Sequence, residues 1–205
     1  MDLTFLFRGL FIGFSIAAPV GPIGVLCIRR TLADGRAAGL VSGLGAATAD
    51  ALYGCVAGFG LTLISNFLVA QQWWLGLIGG LFLCYLGVKT LLSQPAEQAA
   101  TVKGTGLLGA YASTFFLTVT NPITILSFVA IFAGLGLAQT SGTYGTAAIL
   151  VLGVFLGSAL WWLLLSGGVS LLRERFTTTG LQWVNRISGV IILGFGLFAL
   201  STLFA

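Results

Sequence analysis

Residues 17–26 read AAPVGPIGVL, and residues 118–126 read TVTNPITIL. Each places proline beside helix-weakening residues inside a long apolar run. Proline removes a backbone donor and clashes with the preceding turn. In lipid such a break is tolerated only where the freed backbone faces protein or a water-filled cavity. The two stretches therefore predict two interrupted membrane helices, the first and the fourth of the chain. Each restarts as a half-helix, PIGVL at 22–26 and PITIL at 122–126.

Outward from these breaks the chain stays apolar. Of 205 residues 7% are charged and 58% hydrophobic, where soluble domains carry roughly 25% charged residues. So little charge cannot cover a soluble surface, and the partner implied is the lipid bilayer. The 30 glycines point the same way, since glycine is commoner in membrane helices. A membrane helix needs about 20 mostly apolar residues. Six runs qualify, at roughly 5–28, 38–63, 73–92, 107–133, 145–168 and 184–204. The fold class expected is an all-α membrane protein of six transmembrane helices, forming one domain over 1–205. The first run is too long and proline-rich for a cleaved signal peptide.

The basic residues set an orientation. Arg29, Arg30 and Arg36 sit in or beside the first loop, Lys89 and Lys103 flank the third, and Arg173, Arg175 and Arg186 flank the fifth. Arg8 alone lies near the N-terminus. Cytoplasmic loops are rich in Lys and Arg, so both termini and loops two and four are expected outside. Such an arrangement suits a bacterial inner membrane. The nine basic residues form no stripe, which argues against nucleic acid.

The two halves resemble each other. Beside the PIGVL and PITIL pair, GLFLCYLGVKTL (80–91) in the third span matches GVIILGFGLFAL (189–200) in the sixth, aligning Gly80 with Gly189 and Gly87 with Gly196. Each half, about 1–92 and about 107–205, holds three spans, and an odd number inverts the second half relative to the first. Inverted three-helix repeats are the architecture of many secondary transporters. Half-helix N-termini carry partial positive charge and free N–H groups, so two of them meeting centrally would suit a carboxylate; two packing kinks without a ligand are the plainer alternative. Pro19, Gly21, Pro22 and Pro122 are the residues of these ends.

Asp50 is the one acid deep inside a span, and an intramembrane charge is by default functional. It suits proton coupling or pairing with a substrate ammonium; a neutral buried acid bonded to a neighbouring helix is the alternative. Its helical neighbours Gly43, Ala46, Ala47, Gly54 and Ala57 are small, which turns this face inward. Tyr53, one turn on, is placed to donate to the carboxylate. Asn121 either meets a polar substrate or caps the broken helix. Thr118, Thr120 and Thr124 are weaker candidates, because threonine often bonds back to its own helix. Trp73 and Trp74 read as interface anchors, while Trp161 and Trp162 lie deeper in their span. The pairs Gly39/Gly43, Gly54/Gly58 and Gly153/Gly157 fit close helix crossings and would also allow a homodimer.

Cys27, Cys55 and Cys84 fall within apolar runs, no CxxC occurs and histidine is absent, so neither a metal site nor a disulfide framework is expected. With no Walker loop, HExxH or serine elbow, neither an enzyme nor a cofactor is indicated.

At these residues the chain resembles the lysine exporter family, in Gly13, APVGPIG (18–24), the Gly35/Gly39/Gly43 series, Asp50, and the Asn121–Pro122 pair. The turn Pro19-Val20-Gly21-Pro22 has one residue more than the compact Pro-Gly-Pro of many members, and looks more like the arginine-exporting branch. The resemblance implies proton-driven export of amino acids or related small metabolites. A metal-ion exporter is the alternative, and a membrane electron carrier a more distant one. The latter needs paired cysteines in the first and fourth spans, and the fourth has none. A basic cargo would want a second intramembrane acid, which tilts the reading toward neutral amino acids.

Overall fold

A computed structural model describes residues 3–19, 21–59, 67, 69–92, 104–121, 124–125, 127–128, 144–172 and 177–203. Among them run seven α-helices: α1 (Leu3–Ala17), α2 (Pro22–Asp34), α3 (Arg36–Gly58), α4 (Gln72–Leu91), α5 (Gly104–Val119), α6 (Tyr144–Leu172) and α7 (Thr178–Ser201). Four stretches are long and apolar enough to cross a membrane: Arg36–Val56, Gln72–Leu91, Tyr144–Leu172 and Thr179–Ser201. A fifth arises if α1 and α2 are one span, bent by 81° at its break. The protein is therefore an all-helical, multi-pass membrane protein with a broken first pair. Of the expected fourth span, α5 accounts for the first part; Pro122 and most of 122–133 lie outside the described residues.

The first break follows from its prolines. The Ala18 N–H closes the last turn of α1 on the Phe14 carbonyl at 2.9 Å. Pro19 then stops the helix, because the residue before a proline is pushed out of the helical region. Pro22 restarts it from the first position of α2, where a missing N–H costs nothing and the fixed φ is already helical. Gly21 is the N-cap in extended conformation, with no side chain capping the new helix.

The first loop is shorter than the sequence suggests. Arg29 and Arg30 continue α2, and Arg36 already opens α3. The connection is Gly35 alone, at φ 101°, a left-handed conformation that glycine adopts without steric cost. Arg30 is consequently buried. Its guanidinium donates to Ser42 Oγ at 2.8 Å, the Ala110 carbonyl at 2.9 Å and Ser113 Oγ at 2.7 Å. It thereby ties α2 to α3 and α5. Arg29 bonds Asn185 Oδ1 of α7 at 2.9 Å and pairs with Asp34 at 3.3 Å. These arginines are structural ties between helices. The last helix likewise begins ahead of the expected residue 184, at Thr178, because Thr177 caps it by accepting the Gly180 N–H at 3.2 Å.

Packing pairs α1 with α6, α4 with α7, and α3 with both α5 and α6, while α2 lies against α3, α6 and α7. Glycines set the closest crossings. A methyl group on Gly9 or Gly13 would run into α6 carbonyls, and one on Gly153 or Gly157 into α1 carbonyls. Gly80 faces Gly196, and Gly87 faces Gly189, so the α4–α7 crossing uses the matched glycines of both halves. Gly54 and Gly58 are different: a Cβ there would meet its neighbours at ordinary distances of 3.6 Å or more. Phe7, Phe11, Leu108, Val190 and Leu197 are exposed on the outside of the bundle, as a lipid-facing surface requires.

Candidate functional site

A cavity of about 340 Å³ opens where the α1–α2 break meets α3, α7 and the segment after α5. Pro19, Gly21, Pro22, Asp50 and Asn121 line it together. So do Thr118, Thr124, Ser127 and Thr202, with an apolar wall of Ile16, Ile23, Leu83, Trp162 and Phe195. Asp50 is the only charged side chain among the described lining residues.

The floor of the cavity is the start of α2. Gly21, Pro22, Ile23 and Gly24 all contribute to it. The first intrahelical bond there is from the Val25 N–H to the Gly21 carbonyl at 3.0 Å. The same bond recurs in the other half, from the Ile125 N–H to the Asn121 carbonyl at 3.2 Å. Gly21 and Asn121 thus do the same local job: each precedes a proline and accepts the first bond after a helix break. An uncapped helix start presents N–H groups and a partial positive charge to whatever fills the cavity.

Asp50 stands on α3 with 3% of its surface exposed. Its Oδ2 accepts from the Ser158 hydroxyl of α6 at 2.7 Å. Ser158 Oγ in turn accepts from the Trp162 indole N–H at 3.2 Å. The other carboxylate oxygen takes no hydrogen bond from a described residue and is not sealed off, which leaves it for the cavity. Close approach of α3 and α6 brings these groups together: Gly43 sits so near the Trp162 side chain that a Cβ there would collide with it.

Tyr53 takes a different place from the one the sequence suggests. Its hydroxyl donates to the Val119 carbonyl at the end of α5, and it is absent from the described lining of the cavity. The carboxylate's donor is Ser158 instead. Tyr53 satisfies a carbonyl that the end of α5 leaves without an intrahelical N–H. Pro122 lies outside the described residues. Ser158, Trp162 and Phe195 escape the sequence reading, though Trp162 lies on the deeper of the two tryptophan pairs and is 4% exposed.

Among the described residues no three His, Cys, Asp or Glu side chains gather as a metal site would require. Cys27, Cys55 and Cys84 are free thiols.

Comparison with known proteins places the chain in a family. The family model for the LysE type translocator matches residues 14–202. The chain is 30% identical over 195 residues to the "Putative amino acid efflux protein YcgF" of Bacillus subtilis (strain 168), covering 92% of this chain and 91% of that protein. It is 30% identical over 185 residues to the "Uncharacterized membrane protein YahN" of Escherichia coli (strain K12), covering 86% and 79% respectively. No solved structure matches. The match runs through the broken first helix, Asp50 and the Asn121 restart, and the chain belongs to the LysE type translocator family, whose members are transporters and not enzymes.

Proposed function

We propose that this protein is a proton-coupled secondary exporter that moves amino acids out of the cytoplasm across a bacterial inner membrane. The observation that carries the reading is Asp50: a buried carboxylate with one oxygen turned to a cavity whose floor is an uncapped helix start. Such a site offers one negative group and one partially positive one, the complement of an amino acid's ammonium and carboxylate. The substrate carboxylate lies against the N–H groups after Pro22 and, from the other half, after Pro122, with Pro19, Gly21 and Asn121 shaping the approach. Asp50 holds the ammonium or a proton in alternation, and Tyr53 steadies the end of α5 beside it. Similarity to the amino acid efflux protein named above supports the cargo.

The architecture proposed is six spans in two inverted repeats, with both termini outside. Helix pairing supports it. Exchanging α1 with α5, α3 with α6, and α4 with α7 turns the α1–α6 contact into the α5–α3 contact, and leaves α3–α6 and α4–α7 as self-pairs. All four contacts occur. Rocking of one repeat on the other would open the cavity to each side in turn.

The test is efflux from cells preloaded with labelled amino acids, with and without a protonophore, for the natural protein and Asp50→Asn. Export that collapses with the proton gradient and is lost in Asp50→Asn, at unchanged protein level, is the expected result. Normal coupled export by Asp50→Asn would sink the mechanism.

A further inference from the structure

We infer that the cavity selects amino acids with apolar side chains, and that Phe195 and Leu83 form the subsite that reads them. The inference rests on the export reading above and adds the substrate class. Its first support is charge. Asp50, 3% exposed and with one oxygen open to the cavity, is used up by the α-ammonium. A lysine or arginine cargo brings a second cation with nothing to meet it. The remaining acids are Asp2, Asp34, Glu97 and Glu174, all outside the apolar interiors of the six runs, and Asp34 is already paired with Arg29. A glutamate or aspartate cargo finds no basic side chain among the described lining residues.

The second support is the wall. The backbone N–H groups of the α2 start and Asp50 fix the two charged ends of the substrate. Most of the lining left for the side chain is apolar, with Ile16, Ile23, Leu83, Trp162 and Phe195 outweighing the hydroxyls of Thr118, Thr124, Ser127 and Thr202. Leu83 and Phe195 belong to one apolar cluster with Leu26 and Ile192, so this wall is backed by packed side chains. A hydroxyl or amide placed against it would lose its water partners without replacement.

The experiment is counterflow in liposomes containing the purified full-length protein, with labelled leucine, phenylalanine, serine, lysine and glutamate. Leucine and phenylalanine are expected to exchange about 10-fold or more faster than the other three, the scale on which a hydrophobic pocket discriminates. Serine, lysine or glutamate moving as fast as leucine overturns the apolar subsite and leaves the export reading standing. No exchange of any amino acid overturns the export reading itself. Phe195→Ala separates a subsite from a packing role. It is expected to raise the phenylalanine-to-leucine ratio several-fold, as does the milder Phe195→Leu; an equal loss for both substrates in both variants overturns the role given to Phe195.

Discussion

Arg30 donates to Ser42, Ser113 and the Ala110 carbonyl from a buried position. Bonds to a charged group contribute roughly 1.5–3 kcal/mol each. Arg30→Ala should therefore lower stability by at least that of one bond, read as a fall in melting temperature in detergent. Arg30→Lys should recover only part of the loss, because an ammonium keeps the charge without the planar fork that reaches three acceptors. Equal melting temperatures for all three proteins would count against the tie. Sequence alone shows Arg30 as one more positive charge near a loop, because burial depends on α2 continuing to Asp34 and on the one-residue turn at Gly35. Asp50 is legible for the opposite reason: a charge amid apolar residues stands out without knowledge of its neighbours. Its partner does not. Serines in membrane helices commonly bond back to their own helix, as Ser166 does to Trp162, and nothing local marks Ser158 as the one that reaches across.

At the scale of helices, proline and hydropathy carry most of the pattern, and the α1–α2 break is read directly from Pro19 and Pro22. Glycine spacing carries less. Three GxxxG pairs look alike in sequence, yet Gly153 and Gly157 meet α1 backbone while Gly54 and Gly58 stand at ordinary contact distance. The difference arises from which partner helix faces each pair. This contrast gives a paired test. Gly13→Ala places a methyl group against the Val154 carbonyl, and backbone cannot move aside as a flexible side chain can. Overpacking of this kind costs typically about 1–3 kcal/mol. Gly54→Ala adds a methyl group that meets Val154 side-chain atoms at 3.6–3.7 Å and should be neutral or slightly stabilising, since alanine is the better helix former. Thermal unfolding of both variants in detergent checks the pair; equal destabilisation would mean that the α1–α6 crossing is not governed by close backbone approach.

At the scale of the whole molecule, the proposed inverted repeat makes a statement about where the acid must be. At the α4–α7 crossing Gly80 faces Gly196 and Gly87 faces Gly189, two contacts that exchange when each glycine is replaced by its match, as a two-fold relation between the halves requires. The contact between Asp50 and Ser158 fits the same relation. Their separation of 108 residues is one short of the offset that aligns Gly80 with Gly189, so they occupy nearly equivalent places in α3 and α6. The site then lies at the axis, with an acid from one repeat and a hydroxyl from the other. Only one half carries the carboxylate proposed to bind the proton. This predicts the behaviour of an exchange. Asp50→Ser alone removes the carboxylate and should abolish coupled efflux. Asp50→Ser combined with Ser158→Asp returns one carboxylate and one hydroxyl to the same place, with the Trp162 indole now beside the acid. The double variant should recover measurable efflux that remains sensitive to a protonophore, at a lower rate because α6 aims the acid from the opposite side. Recovery would mean that position at the axis, and not membership of one repeat, makes the carboxylate competent. A folded double variant with no more efflux than Asp50→Ser would mean that the halves are not interchangeable at the site, and that α3 supplies something to Asp50 that its counterpart lacks.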